Sequence, residues 1–321
     1  MAIEHARARI LPKPWGVVDL EPWSDARHDG QPIGEIWYER SDQTAAECSL
    51  LLKLLFTSQP LSIQVHPGDA FAHSLALPRG KTEAWYILSA APDAKVALGL
   101  KERVSSRQLR EAVEDGSIAD LVVWRPVSAG DVVFVPAGTI HAIGAGLVIA
   151  ELQQRSDTTF RLFDYGRARE LHVENAVAVA TTGPAEVPAK PTRLTDERAL
   201  LVSSPHFSFE KIDLPPDSEW SLSAERETWL LVLGGDARIG SFDVVTGDAV
   251  YAQSDRVNIR AGATGLVCLL AYTGASPNPD LLREVGPPDI IDVAPPLAVV
   301  LHTPAAQPNA ATLDGFMDKA R

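Results

Sequence analysis

Short apolar runs separated by turn residues dominate the chain. Ser49–Leu55, Leu61–Val65, Glu83–Leu88, Ala94–Leu98 and Asp131–Val135 are of this kind, and so are Leu147–Gln153, Thr159–Phe163, Thr228–Leu233 and Leu266–Tyr272. Each is strand-sized, and Gly, Pro, Asp or Ser punctuates the intervals. The pattern predicts an all-β protein. One segment departs from it: SSRQLREAVEDGSIADLVVW places Leu109, Val113 and Ile118 on one side and Arg, Glu and Asp on the other. That spacing predicts a helix, with Ser105 or Ser106 able to cap its start. Around residues 172–182 the pattern fits helix and strand equally.

The strand pattern also repeats. Glu83-Ala84-Trp85-Tyr86-Ile87-Leu88 echoes Glu227-Thr228-Trp229-Leu230-Leu231-Val232, and Ala129-Gly130-Asp131-Val132-Val133 echoes Thr246-Gly247-Asp248-Ala249-Val250. The offset within the second pair is shorter than in the first by about the length of the helical segment. Two copies of one β unit are therefore expected. The first spans 1–190 with a helical insert at 103–123, and the second spans 191–275. From 276 to 321 the chain is rich in Pro and Ala, which precludes long helices or ladders. This tail is expected to pack as extended chain over the second unit or to stay partly disordered.

Composition narrows the functional classes. The chain has 321 residues and a net charge of −13, with a pI near 5.1. Nucleic acids select clustered Lys and Arg, so such a surface is not expected here. No apolar run approaches the roughly 18 residues of a membrane span, and the first residues lack the apolar stretch of a secretory signal. A cytoplasmic protein without membrane partners is expected. Cys48 and Cys268 sit beside leucines and read as buried thiols, not as a disulfide framework. Oligomeric state is not legible.

Candidate chemistry enters at Gly130-Asp131-Val132-Val133-Phe134-Val135-Pro136-Ala137-Gly138-Thr139-Ile140-His141. A strand runs into a Pro-x-Gly reversal, and the following strand opens with His141 at a defined place. This pattern resembles the second motif of cupins, small double-sheet jelly-roll barrels that hold a metal inside the barrel. Upstream, Gln64 and His66 are two apart on a strand and share one face. Glu83 opens the next apolar strand. Two imidazoles, a carboxylate and an amide oxygen make a mixed N/O set that suits Zn²⁺, and also Mn²⁺, Fe²⁺ or Co²⁺. His5, His28, His73, His172, His206 and His302 lack that context. The second unit has no Pro-x-Gly-x2-His and is expected to be metal-free. Arg161 lies among Phe160, Leu162 and Phe163, and a partly buried guanidinium calls for an anion.

The chain resembles class I mannose-6-phosphate isomerases in their short bacterial form. Leu61-Ser62-Ile63-Gln64-Val65-His66-Pro67, Gly80-Lys81-Thr82-Glu83 with Trp85-Tyr86, Pro136-Ala137-Gly138-Thr139-Ile140-His141-Ala142-Ile143-Gly144 and the stretch Gln153 to Arg167 carry the resemblance, and Trp15-Gly16 also fits. The resemblance implies two cupin-like jelly-roll β-barrels, of which the second is degenerate. It implies one zinc on Gln64, His66, Glu83 and His141, and it places Ser62, Lys81 and Arg161 around a sugar phosphate or in proton transfer. Gly68, where Asn is common, Phe160 for a common Tyr, and the Pro-rich tail are departures.

The implied reaction interconverts mannose 6-phosphate and fructose 6-phosphate through a cis-enediol. It needs a base of near-neutral pKa. Lys81, its pKa lowered by burial beside a cation, and a water on the metal are both open for that role. Two other readings are a non-catalytic sugar-phosphate-binding cupin and an Fe²⁺ dioxygenase using His66, Glu83 and His141.

Overall fold

The computed structural model describes residues 2–26, 29–42, 44–186 and 190–286, so most of the Pro-rich tail lies outside the described residues. In the first half the elements are β1 (Ala2–His5), β2 (Arg7–Val17), β3 (Ile33–Glu39), β4 (Leu50–Thr57), β5 (Ile63–Val65), α1 (Asp69–Ser74), β6 (Glu83–Ala90), β7 (Lys95–Leu100), α2 (Ser106–Asp115), α3 (Ile118–Leu121), β8 (Val122–Pro126), β9 (Val132–Val135), β10 (His141–Ile143), β11 (Leu147–Gln154), β12 (Phe160–Phe163) and α4 (Val173–Val179). The second half adds β13 (Thr192–Arg193), β14 (Arg198–Ser203), β15 (Phe207–Leu214), β16 (Glu219–Ala224), β17 (Thr228–Ile239), β18 (Phe242–Val245), β19 (Ala249–Gln253), β20 (Asp255–Thr273) and β21 (Leu282–Glu284).

The all-β expectation holds. The first half pairs its strands into two sheets, one in the order β2-β3-β4-β11-β6-β9 and one in the order β12-β5-β10-β7-β8. The second half builds a ten-stranded sheet along β1-β19-β17-β20-β15-β14-β13, with β16, β18 and β21 attached. Among the described residues no ladder closes on itself, so the architecture is packed open sheets. Two pairings cross the expected unit boundaries. β1 joins β19, although it opens the chain, and β21 joins β16 beyond residue 275.

The helical insert takes its predicted form. Ser105 caps α2 by accepting from the Gln108 backbone N–H, the Gln108 side chain bonds back to the Ser105 N–H, and Gly116 ends the helix at φ 84°. Leu109, Ala112 and Val113 are its buried side. The ambiguous segment resolves as α4, whose Ala176 packs in the same cluster as Ile63, Val65 and Leu109.

One hydrophobic core joins the halves. Ile36, Leu52, Leu54, Ala150 and Leu152 from the six-stranded sheet cluster with Phe207, Phe209, Trp229, Leu231, Tyr251 and Ala271 from the ten-stranded one. Alternation along a strand sends successive side chains to opposite faces. The intervening residues Lys53 and Glu151 of the first half therefore face the other way, into the space between its two sheets.

Candidate active site

The five-stranded sheet aligns one wall. In register across β12, β5 and β10, Arg161 stands opposite Gln64, and Gln64 opposite His141. Ser62, Gln64 and His66 follow at alternate positions on and beside β5 and so share one face. The turn at Pro136 and Gly138 fixes where β10 begins: Thr139 N–H bonds to Pro136 O at 3.1 Å, and Gly138 N–H bonds to His66 O at 2.8 Å. Gly138 has φ +86°, a conformation that favours glycine. The six-stranded sheet supplies the facing wall, where Trp37, Lys53, Glu151 and Trp85 lie side by side on β3, β4, β11 and β6.

His66, Glu83 and His141 converge, with ligand atoms within 4.8 Å of one another and all three residues buried. His66 Nε2 lies 3.4 Å from Glu83 Oε2, and His141 Nε2 lies 3.3 Å from Glu83 Oε1. Gln64 Nε2 is 3.2 Å from His141 Nε2 while its Oε1 accepts from Ser62 Oγ at 3.1 Å. Half a turn of the amide exchanges its oxygen and nitrogen and presents oxygen to the cluster. Donors bound at about 2.0–2.2 Å around a tetrahedral ion sit about 3.4 Å apart, which the individual contacts from Glu83 to the two imidazoles approach.

The protonation pattern also fits a cation. Each imidazole has its Nδ1 on a backbone carbonyl, His66 on Thr158 O at 3.0 Å and His141 on Thr139 O at 2.9 Å. Nδ1 therefore carries the hydrogen, and Nε2 keeps its lone pair toward Glu83. Burial, reinforced by the Lys81 charge, pushes His66 down to about 3, and burial also lowers His141. Both rings are thus neutral, as metal ligands must be. Burial opposes the charge on Glu83, but the Lys81 ammonium outweighs it and holds the carboxyl well below its usual range.

Lys81 is buried against the donor cluster. It is 4% exposed, and its Nζ donates to Glu83, to Glu151 Oε1 at 3.2 Å and to the His66 Nε2 lone pair at 3.1 Å. Burial alone would lower its pKa, yet the two carboxylates prevail and raise it above the ordinary lysine value. Held by two carboxylates, the Lys81 ammonium is suited to donating a hydrogen bond.

Glu151 is the residue that sequence reasoning missed. It is 3% exposed in the middle of an otherwise apolar strand, with Lys53 Nζ 3.5 Å from Oε2. Burial, with the charge of Glu83, pushes its carboxyl up to about 7 against the pull of Lys53 and Lys81. No spacing motif marks it, because its partners come from β4 and the β6 approach. His172, which lacks the context of the metal motif, also lies at the cavity, with its Nδ1 accepting from the Arg161 N–H at 3.1 Å.

These groups surround a cavity of about 280 Å³ whose wall includes Ser62, Gln64, Lys81, Glu83, Glu151 and Arg161. The imidazoles of His66 and His141 are buried behind that wall. Arg161 Nε is buried and has no hydrogen-bond partner among the described residues.

No family model matches the chain. It is 38% identical over 226 residues to the mannose-6-phosphate isomerase of Streptococcus mutans, covering 66% of this chain and 70% of that protein. The chain belongs to the mannose-6-phosphate isomerase family. A second relative, mannose-6-phosphate isomerase ManA of Bacillus subtilis, is 35% identical over 218 residues, covering 63% of this chain and 65% of its own length. The fold agrees. A crystal structure of the mannose 6-phosphate isomerase from Bacillus subtilis superposes with a TM-score of 0.74 at 22% identity, over 85% of this chain and all of that one. Phosphomannose isomerase from Salmonella typhimurium gives 0.68 at 15% identity over the same 85%. Among the described residues no helix is long and apolar enough to cross a membrane.

Proposed function

We propose that this chain interconverts mannose 6-phosphate and fructose 6-phosphate, moving a proton between C2 and C1 through a cis-enediol. The observation that carries the reading is Arg161. Its guanidinium lines the cavity without an anionic partner among the described residues, on the strand beside Gln64 and two strands from His141. An anion-binding group and a cluster of metal donors thus share one wall, as an open-chain sugar phosphate requires. Arg suits a phosphate because its planar fork binds two oxygens at once.

Gln64, His66, Glu83 and His141 would hold Zn²⁺, for which the mixed donor set and the neutral rings are suited. When bound, the ion polarises the sugar's carbonyl and hydroxyl oxygens and stabilises the enediolate charge. Arg161, with Ser62, fixes the phosphate and so places C1 and C2 beside the donor cluster. Glu151, a buried carboxyl that lines the cavity beside Lys81, is assigned to take the proton from one carbon and return it to the other. Lys81 donates to the oxygen on which negative charge develops. The family membership favours this reading over a binding protein without turnover and over an oxygenase.

Turnover of mannose 6-phosphate in a coupled assay, with and without chelator, tests it. Turnover that chelation abolishes and added Zn²⁺ restores is expected. Absence of turnover at every metal loading would overturn it.

A further inference from the structure

Lys53 is a buried cation for which the mechanism above gives no task. It is 4% exposed and lies at the middle of β4, directly across from Glu151 in the ladder. An ammonium taken this far from water is costly to leave unpaired, so its partners matter. Three surround it. Nζ lies 3.5 Å from Glu151 Oε2 and 5.2 Å from the centre of the Trp37 ring. Its charge also acts, with that of Lys13, to lower the Glu35 carboxyl against the effect of burial. Trp37 is itself tied to Glu35 through its indole N–H at 2.6 Å, and Glu35 to Lys13 Nζ at 3.2 Å. The Lys53 ammonium is therefore held from several sides.

The consequence falls on Glu151. Its two oxygens are held by different ammoniums, Oε2 by Lys53 and Oε1 by Lys81. A carboxylate gripped at one oxygen only would be free to rotate about its terminal bond. We propose that Lys53 is a positioning residue: it fixes the Glu151 carboxylate plane so that Oε1 stays on the Lys81 side, at the cavity. It acts through Glu151 and not on the substrate. This inference rests on the assignment of proton transfer to Glu151.

The test is a double-mutant cycle in the zinc-loaded full chain, using Lys53→Met, Glu151→Gln and the pair. Readouts are kcat, KM for mannose 6-phosphate, bound metal, and exchange of the C2 hydrogen with solvent deuterium. Misplacing a catalytic group by about 1 Å costs on the order of 10²-fold, so Lys53→Met is expected to lower kcat about that much. KM should stay within about threefold of its original value, with metal retained. In the Glu151→Gln background the same substitution should cost nothing further, because a unit is broken only once. Lys53→Arg should restore part of the lost kcat.

An undiminished kcat in Lys53→Met overturns the proposal. So does a full additional loss in the double variant, or a rise in KM matching the loss of kcat, either of which places Lys53 on the substrate. If Lys53→Met does not fold, the cycle is run with Lys53→Arg, and any loss must vanish in the Glu151→Gln background. The underlying assignment fails separately, if Glu151→Gln alone leaves C2 exchange intact.

Discussion

The two halves use one turn and one strand pairing to opposite ends. In the first, Gly130 N–H bonds to Ile87 O at 2.8 Å and Ile87 N–H to Asp131 O at 2.9 Å. In the second, Gly247 N–H bonds to Val232 O at 3.0 Å and Val232 N–H to Asp248 O at 2.9 Å. These turns make Ile87 equivalent to Val232, and hence Trp85 to Leu230. The pairings agree, since Trp85 faces Val133 and Leu230 faces Val250. The sequence echo, by contrast, aligns Trp85 with Trp229. The similarity is thus one residue out of step with the structure, and a one-residue step in a strand exchanges its two faces.

That step separates the two glutamates. Glu83 points between the sheets of its own half, at two imidazoles and Lys81. Glu227 serves the join between halves: its carboxylate accepts from Ser49 N–H at 2.6 Å, from Leu50 N–H at 2.9 Å and from the Trp229 indole at 3.1 Å. Along the structurally equivalent row, Lys53, Glu151 and Trp85 give way to Glu210, Leu270 and Leu230. Glu210 there is neutralised by Arg198, through two contacts of 2.9 Å, and bonded by the Tyr272 hydroxyl. A chemical row in one half is a closed ion pair with packed leucines in the other.

The sharpest way to break this comparison is at the donor cluster. Glu83→Gln, His66→Ala and His141→Ala should each lose bound metal and about 10⁴-fold or more in turnover, since the ion carries the charge stabilisation. Glu227→Gln should keep both metal and turnover. Metal analysis beside steady-state kinetics decides it, and undiminished zinc in His66→Ala or His141→Ala would remove the ligand assignment.

Next in size are the groups that act on the substrate. Arg161→Ala is expected to lower kcat/KM by several orders of magnitude, on the order of 10³-fold, with metal retained and melting temperature unchanged. A lowered melting point with near-normal specific activity would make Arg161 structural. Lys81→Met should lower kcat by about 10²- to 10³-fold, the usual cost of one lost donor to a developing oxyanion. With Glu151 as the base, some C2 exchange with deuterium should survive this variant. Exchange that collapses as far as turnover would return the proton to Lys81.

The legible part of the site was the part written at local spacing. Gln64 and His66 sit two apart, His141 follows a Pro-x-Gly turn, and Glu83 opens a strand, so each is aimed by its own neighbours. Glu151 was illegible because its meaning comes across two strand boundaries, from Lys53 and Lys81. Its own stretch, LVIAELQQ, reads as an ordinary buried strand. The second carboxylate on Lys81 was illegible for the same reason, since Glu151 is 70 residues away. β2 escaped notice because Pro12 and Pro14 interrupt its pattern, and such prolines are tolerated on the edge strand it forms.

Glu227→Ala gives the stability side of the comparison. It leaves two backbone N–H groups and an indole without an acceptor at a buried junction. Unmet buried donors cost about 1–3 kcal/mol each, so a loss of about 3 kcal/mol is expected, read as a lowered urea midpoint. Specific activity of the remaining folded protein should be unchanged.

The finest distinction lies in the twin glycines. Gly130 and Gly247 share φ values of +92° and +91°, so alanine pays a left-handed penalty of about 1–2 kcal/mol at either. Their surroundings differ. A Cβ on Gly130 would meet only the Tyr86 hydroxyl, at 4.0 Å, whereas one on Gly247 would lie 2.2 Å from the carbonyl oxygen of Trp23. Gly247 O also accepts the buried Tyr38 hydroxyl at 2.6 Å, so the turn cannot shift without straining that bond. Gly130→Ala should therefore cost only the conformational term. Gly247→Ala should cost at least about 1 kcal/mol more, since relieving the contact moves backbone and endangers a buried hydrogen bond. Urea midpoints measured for the two variants side by side cancel the shared term. Equal losses would mean that the segment around Trp23 yields freely and that the second turn is no more tightly enclosed than the first.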